Sequence, residues 1–126
     1  MTVMYERPDG YPEGIIIKKF SNTVGAQEVL ASWDNMFAKD LINDQSRGVI
    51  INLLNCDFKM NMGGFRRIIM YLKNKKIFKR VKIAVVSISP EVIVYPFIGQ
   101  QQEKELNIRP FSSVDAAVQW IANEMA

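Results

Sequence analysis

The sequence predicts an α/β fold: a mixed sheet of about five strands, a β-hairpin followed by βαβαβα, with four helices on two faces. Two apolar runs carry much of this, Val49-Ile50-Ile51-Asn52-Leu53-Leu54 and Val81-Lys82-Ile83-Ala84-Val85-Val86. They are continuous rather than alternating, the mark of strands covered on both faces in parallel sheets. The segments between such runs carry apolar residues at helical spacing. Strand and helix therefore alternate, and right-handed crossovers then place the strands side by side.

Val3, Met4 and Tyr5 form a weak first strand. Pro8-Asp9-Gly10, with Pro12 and Gly14, is turn chemistry, because Pro fixes φ and Gly accepts positive φ. Ile15-Ile16-Ile17-Lys18-Lys19-Phe20 follows, so the pair reads as a hairpin at the sheet edge. Ser21, Asn22 and Thr23 offer N-caps for a helix over residues 24–43, whose apolar face is Val29, Leu30, Trp33, Met36, Phe37 and Leu41. Asp44, Ser46 and Gly48 end it. After the central strand, residues 48–54, comes a loop. Asn61 is then the expected N-cap of a helix over residues 62–73, with Met62, Phe65, Ile68, Ile69 and Leu72 as its apolar stripe.

The strand at 81–86 leads to Ser89-Pro90-Glu91, a helix start with Pro in the first turn. Residues 92–98, Val-Ile-Val-Tyr-Pro-Phe-Ile, are apolar and interrupted by Pro96, which predicts irregular helix, broken into short pieces, to about Leu106. A short strand over 107–111 precedes a closing helix. Ser112 and Asp115 have capping-box spacing there, and Val114, Ala117, Val118, Trp120, Ile121 and Met125 are its apolar side.

At 126 residues, 48% hydrophobic and 23% charged, the chain suits one domain with one core. No apolar run is long enough to span a membrane. The opening residues lack the basic-then-apolar order of a signal peptide, and Cys56 stands alone, so the cytoplasm is the expected residence. There is no histidine. That removes the commonest general base and transition-metal ligand, and with them Ser-His and Cys-His catalysis within one chain. No metal and no cofactor is expected. The net charge of +3 is unevenly held. Between Asp57 and Glu91 there is no acid and there are nine of the sixteen bases, leaving seven bases against thirteen acids elsewhere. One segment thus carries +9 and the rest −6.

Three features together resemble the SpoIIAA-like group of STAS/SEC14-type domains over nearly the whole chain. They are the 48–54 strand with its loop and helix, the 81–86 strand before Ser87-Ile88-Ser89-Pro90, and the ending Arg109-Pro110-Phe111, Ala116-Ala117, Trp120-Ile121. These are packing features and none is catalytic. The resemblance implies a small regulatory domain working through protein contact. Its STAS branch has an Asp-Ser-Ser/Ala-Gly loop after the central strand, phosphorylated by a partner kinase. Met60-Asn61-Met62-Gly63 stands in that place, matching only the glycine. The phosphoacceptor serine is therefore missing.

The leading reading is a non-enzymatic, STAS-like interaction module whose partner is another protein or a second copy. Its contact or anion-binding loop is Asn55, Asp57, Asn61, Gly63 and Gly64, at the C-terminal end of the central strand. The plainer reading is an ordinary connection. Arg66, Arg67, Lys73, Lys75, Lys76, Lys79 and Arg80 form a basic patch with Ile77 and Phe78 among them. It suits an acidic protein, a peripheral membrane contact or, less favoured, a nucleic acid; the plainer reading is a solvated helix end with Ile77 and Phe78 covering the sheet edge. Val92, Ile93, Tyr95, Phe97 and Ile98 are read as a lid over an apolar pocket, as a dimer contact, or as a buried distorted helix. The lid implies the alternative function, SEC14-like binding of an apolar or lipid-like small molecule. Cys56 reads as a small buried residue rather than a nucleophile.

Overall fold

The computed structural model describes residues 3–7, 9–10 and 13–123. Pro8, Pro12 and Met125, to which the sequence assigned turn and core roles, lie outside them. Five strands form the main sheet in the order β1-β2-β4-β6-β7. They are β1 (Val3–Glu6), β2 (Ile15–Phe20), β4 (Gly48–Asn52), β6 (Lys82–Val86) and β7 (Ile108–Phe111). A second, two-stranded sheet joins β3 (Asn22–Val24) to β5 (Cys56–Phe58) in parallel. The helices are α1 (Ala26–Ala38), α2 (Met62–Lys73), α3 (Pro90–Gln102) and α4 (Val114–Ala122), with a short 3-10 turn at Lys76–Lys79.

The edge hairpin is as expected, β1 antiparallel to β2 with Val3 opposite Phe20. Gly14 makes the approach to β2: at φ +94 its backbone sits where a Cβ would meet the Gln45 carbonyl at 2.7 Å. The other main-sheet pairings are parallel, and β4 sits at the centre with all five residues buried. The crossovers through α1, α2 and α3 each step one strand in the same direction. Sharing one hand, they deliver all three helices to one face; α4 covers the other.

Side-chain alternation sorts the core to match. Ile16, Phe20, Val49, Ile51 and Ile83 pack under the three helices. Ile15, Ile17, Ile50, Ala84 and Val86 pack against Ala117, Val118 and Ile121 of α4. Small residues let α4 come close, since a Cβ on Gly48 would lie 2.5 Å from Ile121 Cδ1. The Arg47 guanidinium and the Lys82 ammonium donate to the Ala122 and Trp120 carbonyls, satisfying the end of α4. The outer edge strand β7 carries Pro110, which has no N–H to offer a further strand.

Several boundaries differ from expectation for identifiable reasons. Residues 22–24 are strand rather than cap and helix start, and α1 is capped by Glu28, whose carboxylate accepts the Gly25 N–H at 2.6 Å. The helix stops at Ala38, and Asp40 then adopts φ +56, a left-handed conformation Asp tolerates. Ser113, not Ser112, caps α4, its hydroxyl accepting the Ala116 N–H at 3.2 Å. α3 runs unbroken through Pro96, whose missing N–H costs one helical hydrogen bond without ending the helix.

Candidate functional site

The loop after β4 is held more firmly than a plain connection. Its middle is β5, and the Lys59 N–H extends that pairing to the Val24 carbonyl at 2.8 Å. Two further contacts fix the exit: the Tyr95 hydroxyl donates to the Met60 carbonyl at 3.0 Å, and Asn61 Oδ1 accepts the Gly64 N–H at 2.8 Å. Asn61 is thus the N-cap of α2, as the sequence indicates. The β3–β5 pair therefore draws the starts of α1 and α2 together. At their junction a Cβ on Gly64 would come within 2.8 Å of Ala26 Cβ, whereas Gly63 meets only the Asn61 side chain at 3.4 Å. Gly64 is the packing glycine; Gly63 faces solvent.

An open groove of about 440 Å³ lies beside this junction, bordered by Gly25, Glu28, Lys59, Asn61, Gly64 and Arg67. Asn61, on its border, is exposed, as are Met62 and Gly63 next in the chain. Of the contact-loop residues, Asn61 and Gly64 meet at the groove. Asp57 lies on β5, 3.7 Å from Lys59 in an exposed pair, and Asn55 is exposed in the turn before it. Met62, expected on the buried stripe, points to solvent at 41% exposure, because the face toward the sheet is made by Phe65, Ile68, Ile69 and Leu72. Cys56 is half-buried. Burial first, and the neighbouring Asp57 second, push its thiol up, so thiolate is scarce at neutral pH.

The basic residues run along α2 and onto the 3-10 turn. Arg66 and Arg67 are exposed on α2. Lys73 pairs with Glu103 at 3.0 Å, which raises its ammonium. Lys75 stands 5.1 Å from the Phe37 ring, and Arg80 donates to the Ser46 carbonyl. Lys76 and Lys79 are exposed on the 3-10 turn. Phe78, however, is wholly enclosed, edge-on to Trp33 at 5.0 Å. It is core, and Ile77 packs half-buried against the same cluster, so this turn offers no aromatic side chain to a membrane or a base.

The residues read as a lid are divided between core and surface. Val92 and Pro96 are buried, Ile93, Tyr95 and Ile98 half-buried, and Val94 and Phe97 exposed. The buried side of α3 closes an apolar cavity of about 60 Å³ against Phe65, Ile69, Val85 and Ile108. Ligand sites usually offer about 300 Å³ or more.

One buried group carried no role in the sequence reading. Lys18 is 0% exposed. It sits on the three-helix face of β2, donating to Ser32 Oγ at 2.9 Å with its Nζ 3.1 Å from the centre of the Trp33 ring. Burial lowers its ammonium well below the ordinary 10.5. The available signal was parity: Lys18 lies between Ile16 and Phe20 in the β2 alternation.

Among the described residues no helix is long and apolar enough to cross a membrane, and no three His, Cys, Asp or Glu side chains stand together as metal ligands. No family model matches the chain, and no curated protein matches it in sequence. Solved structures do. The anti-sigma factor antagonist SpoIIAA, in its unphosphorylated form, is similar at a TM-score of 0.56 and 8% identity, over 96% of this chain and 98% of that one. An uncharacterized DUF3478-family protein with a SpoIIAA-like fold, from Shewanella loihica PV-4, is similar at a TM-score of 0.57 and 14% identity, over 94% and 91%. At such identities the likeness is one of fold: the chain has the SpoIIAA/STAS-like α/β architecture.

Proposed function

We propose that this chain is a non-enzymatic, cytoplasmic interaction module that docks a protein partner through residues 55–64 and the start of α2. One observation carries the reading: the loop is built as a presented surface. Its ends are pinned by β3–β5 pairing, the Tyr95 hydroxyl and the Asn61 cap, while Asn55, Asp57, Asn61, Met62 and Gly63 stay exposed. Ordering such a loop in advance reduces the entropy lost on docking. A protein of like fold is an anti-sigma factor antagonist, a role exercised through other proteins. Met60-Asn61-Met62-Gly63 has no serine, and the Asn61 side chain is engaged in capping, so contact rather than phosphorylation is the proposed mode. The chain has no histidine, and its one thiol is pushed up, which fits binding better than catalysis.

Photo-crosslinking in cells tests this. A photoreactive residue at Asn55, Asn61 or Gly63 is expected to give a discrete protein adduct, and one at Gln119 on α4 to give none. Equal labelling at both faces, or none at the loop, would sink the reading.

A further inference from the structure

The outer face of α2 carries a second feature, distinct from the capped loop. A groove of about 320 Å³ runs between α2 and the C-terminal end of α3. Buried Phe65 and Ile69 make its floor, and Met62 and Met70, 41% and 56% exposed, stand along it. Arg66 lies between these methionines, one helical turn from each. Arg66 and its neighbour Arg67 have no ion pair among the described residues. At the far end Lys73 and Glu103 neutralise one another at 3.0 Å.

The chemistry of an occupant follows from that lining. Two flexible methionines over an apolar floor accept an aliphatic side chain and adapt to its shape. The unpaired Arg66 favours a carboxylate beside it, and residues 58–90 contain no acid to compete from the same segment. Nucleic acid is a poorer match, because the segment's aromatics are engaged: Phe65 and Phe78 are buried, and the Tyr71 hydroxyl donates to Asp34 at 2.8 Å. A membrane is poorer too, since Ile77 and Phe78 pack inward.

We propose that this groove takes an acidic, aliphatic segment of a protein partner, with an apolar side chain over Phe65 and Ile69 and a carboxylate on Arg66. The proposal rests on reading the chain as an interaction module, and it adds the partner's chemistry.

The test is an NMR titration of the full chain, labelled with nitrogen-15, with a short peptide of glutamates and leucines. A lysine-for-glutamate version, a single-stranded oligouridine and phosphatidylserine vesicles serve as comparisons. Shifts are expected along α2 and at Gln102 and Glu103 with the acidic peptide alone, weakening as salt rises. Arg66→Glu with Met70→Asp should weaken binding at least about tenfold. Both sites are exposed, so the spectrum should stay folded, and Arg66→Lys should retain part of the affinity. No shift with the acidic peptide, equal binding of the lysine peptide, or preference for oligouridine or vesicles would overturn the proposal. If loop crosslinks persist in that case, only the acidic occupant fails; if they also vanish, the interaction module fails with it.

Discussion

Replacing Lys18 by Met is expected to stabilise the protein. The ammonium is fully enclosed, with one hydroxyl and one indole ring as partners and no carboxylate beside it. Removing a cation from water costs several kcal/mol even after relaxation. The hydrogen bond to Ser32 returns about 1 kcal/mol and the ring contact about 2. Met keeps the length of the chain without the charge, and Ser32 Oγ still donates to the Val29 carbonyl. The gain at neutral pH should be about 1–3 kcal/mol, or several degrees in Tm. The sign with pH follows from the lowered ammonium. Between Lys18's folded value and 10.5 the unfolded chain holds a proton that the folded chain lacks, so parent stability rises with pH across that window. Urea unfolding of parent and Lys18→Met from about pH 6 to about pH 10 should show the gap closing as pH rises. A destabilised variant, or a gap independent of pH, would refute the reasoning.

The adjacent glycines of α2 should behave oppositely. Gly64→Ala forces a Cβ against Ala26 and should cost about 1–3 kcal/mol, whereas Gly63→Ala should be neutral or stabilising by up to about 1 kcal/mol; thermal unfolding separates them. Asn61→Ala removes the acceptor for the Gly64 N–H and should cost about 1 kcal/mol in urea unfolding, with Asn61→Asp recovering it. Val92→Ile adds one methyl group to the 60 Å³ cavity and should raise stability by about 0.5–1 kcal/mol; a loss would mean the cavity has no room on that side.

The residues that announced themselves did so through local physics. β4 and β6 were legible because strands buried on both faces have no polar alternation to confuse them, and α2 because Asn61 both caps and precedes its apolar stripe. The β3–β5 pair was not. Each strand has three residues, too few for a period, and their pairing joins segments separated in sequence by α1 and β4. The groove at the two helix starts was hidden for the same reason. Pro96 overstated the break in α3, since tertiary packing over Phe65 and Ile108 retains the helix. The basic run also hid Phe78, which the 3-10 turn directs into the core while Lys76 and Lys79 stay exposed.

Hydrogen exchange on the full chain, with and without the partner purified through its loop crosslink, addresses the central claim most directly. Slowed exchange over residues 55–73, with α4 unchanged, is the predicted result. Protection confined to α4 or β7, or no protection at all, would contradict the assignment of this surface.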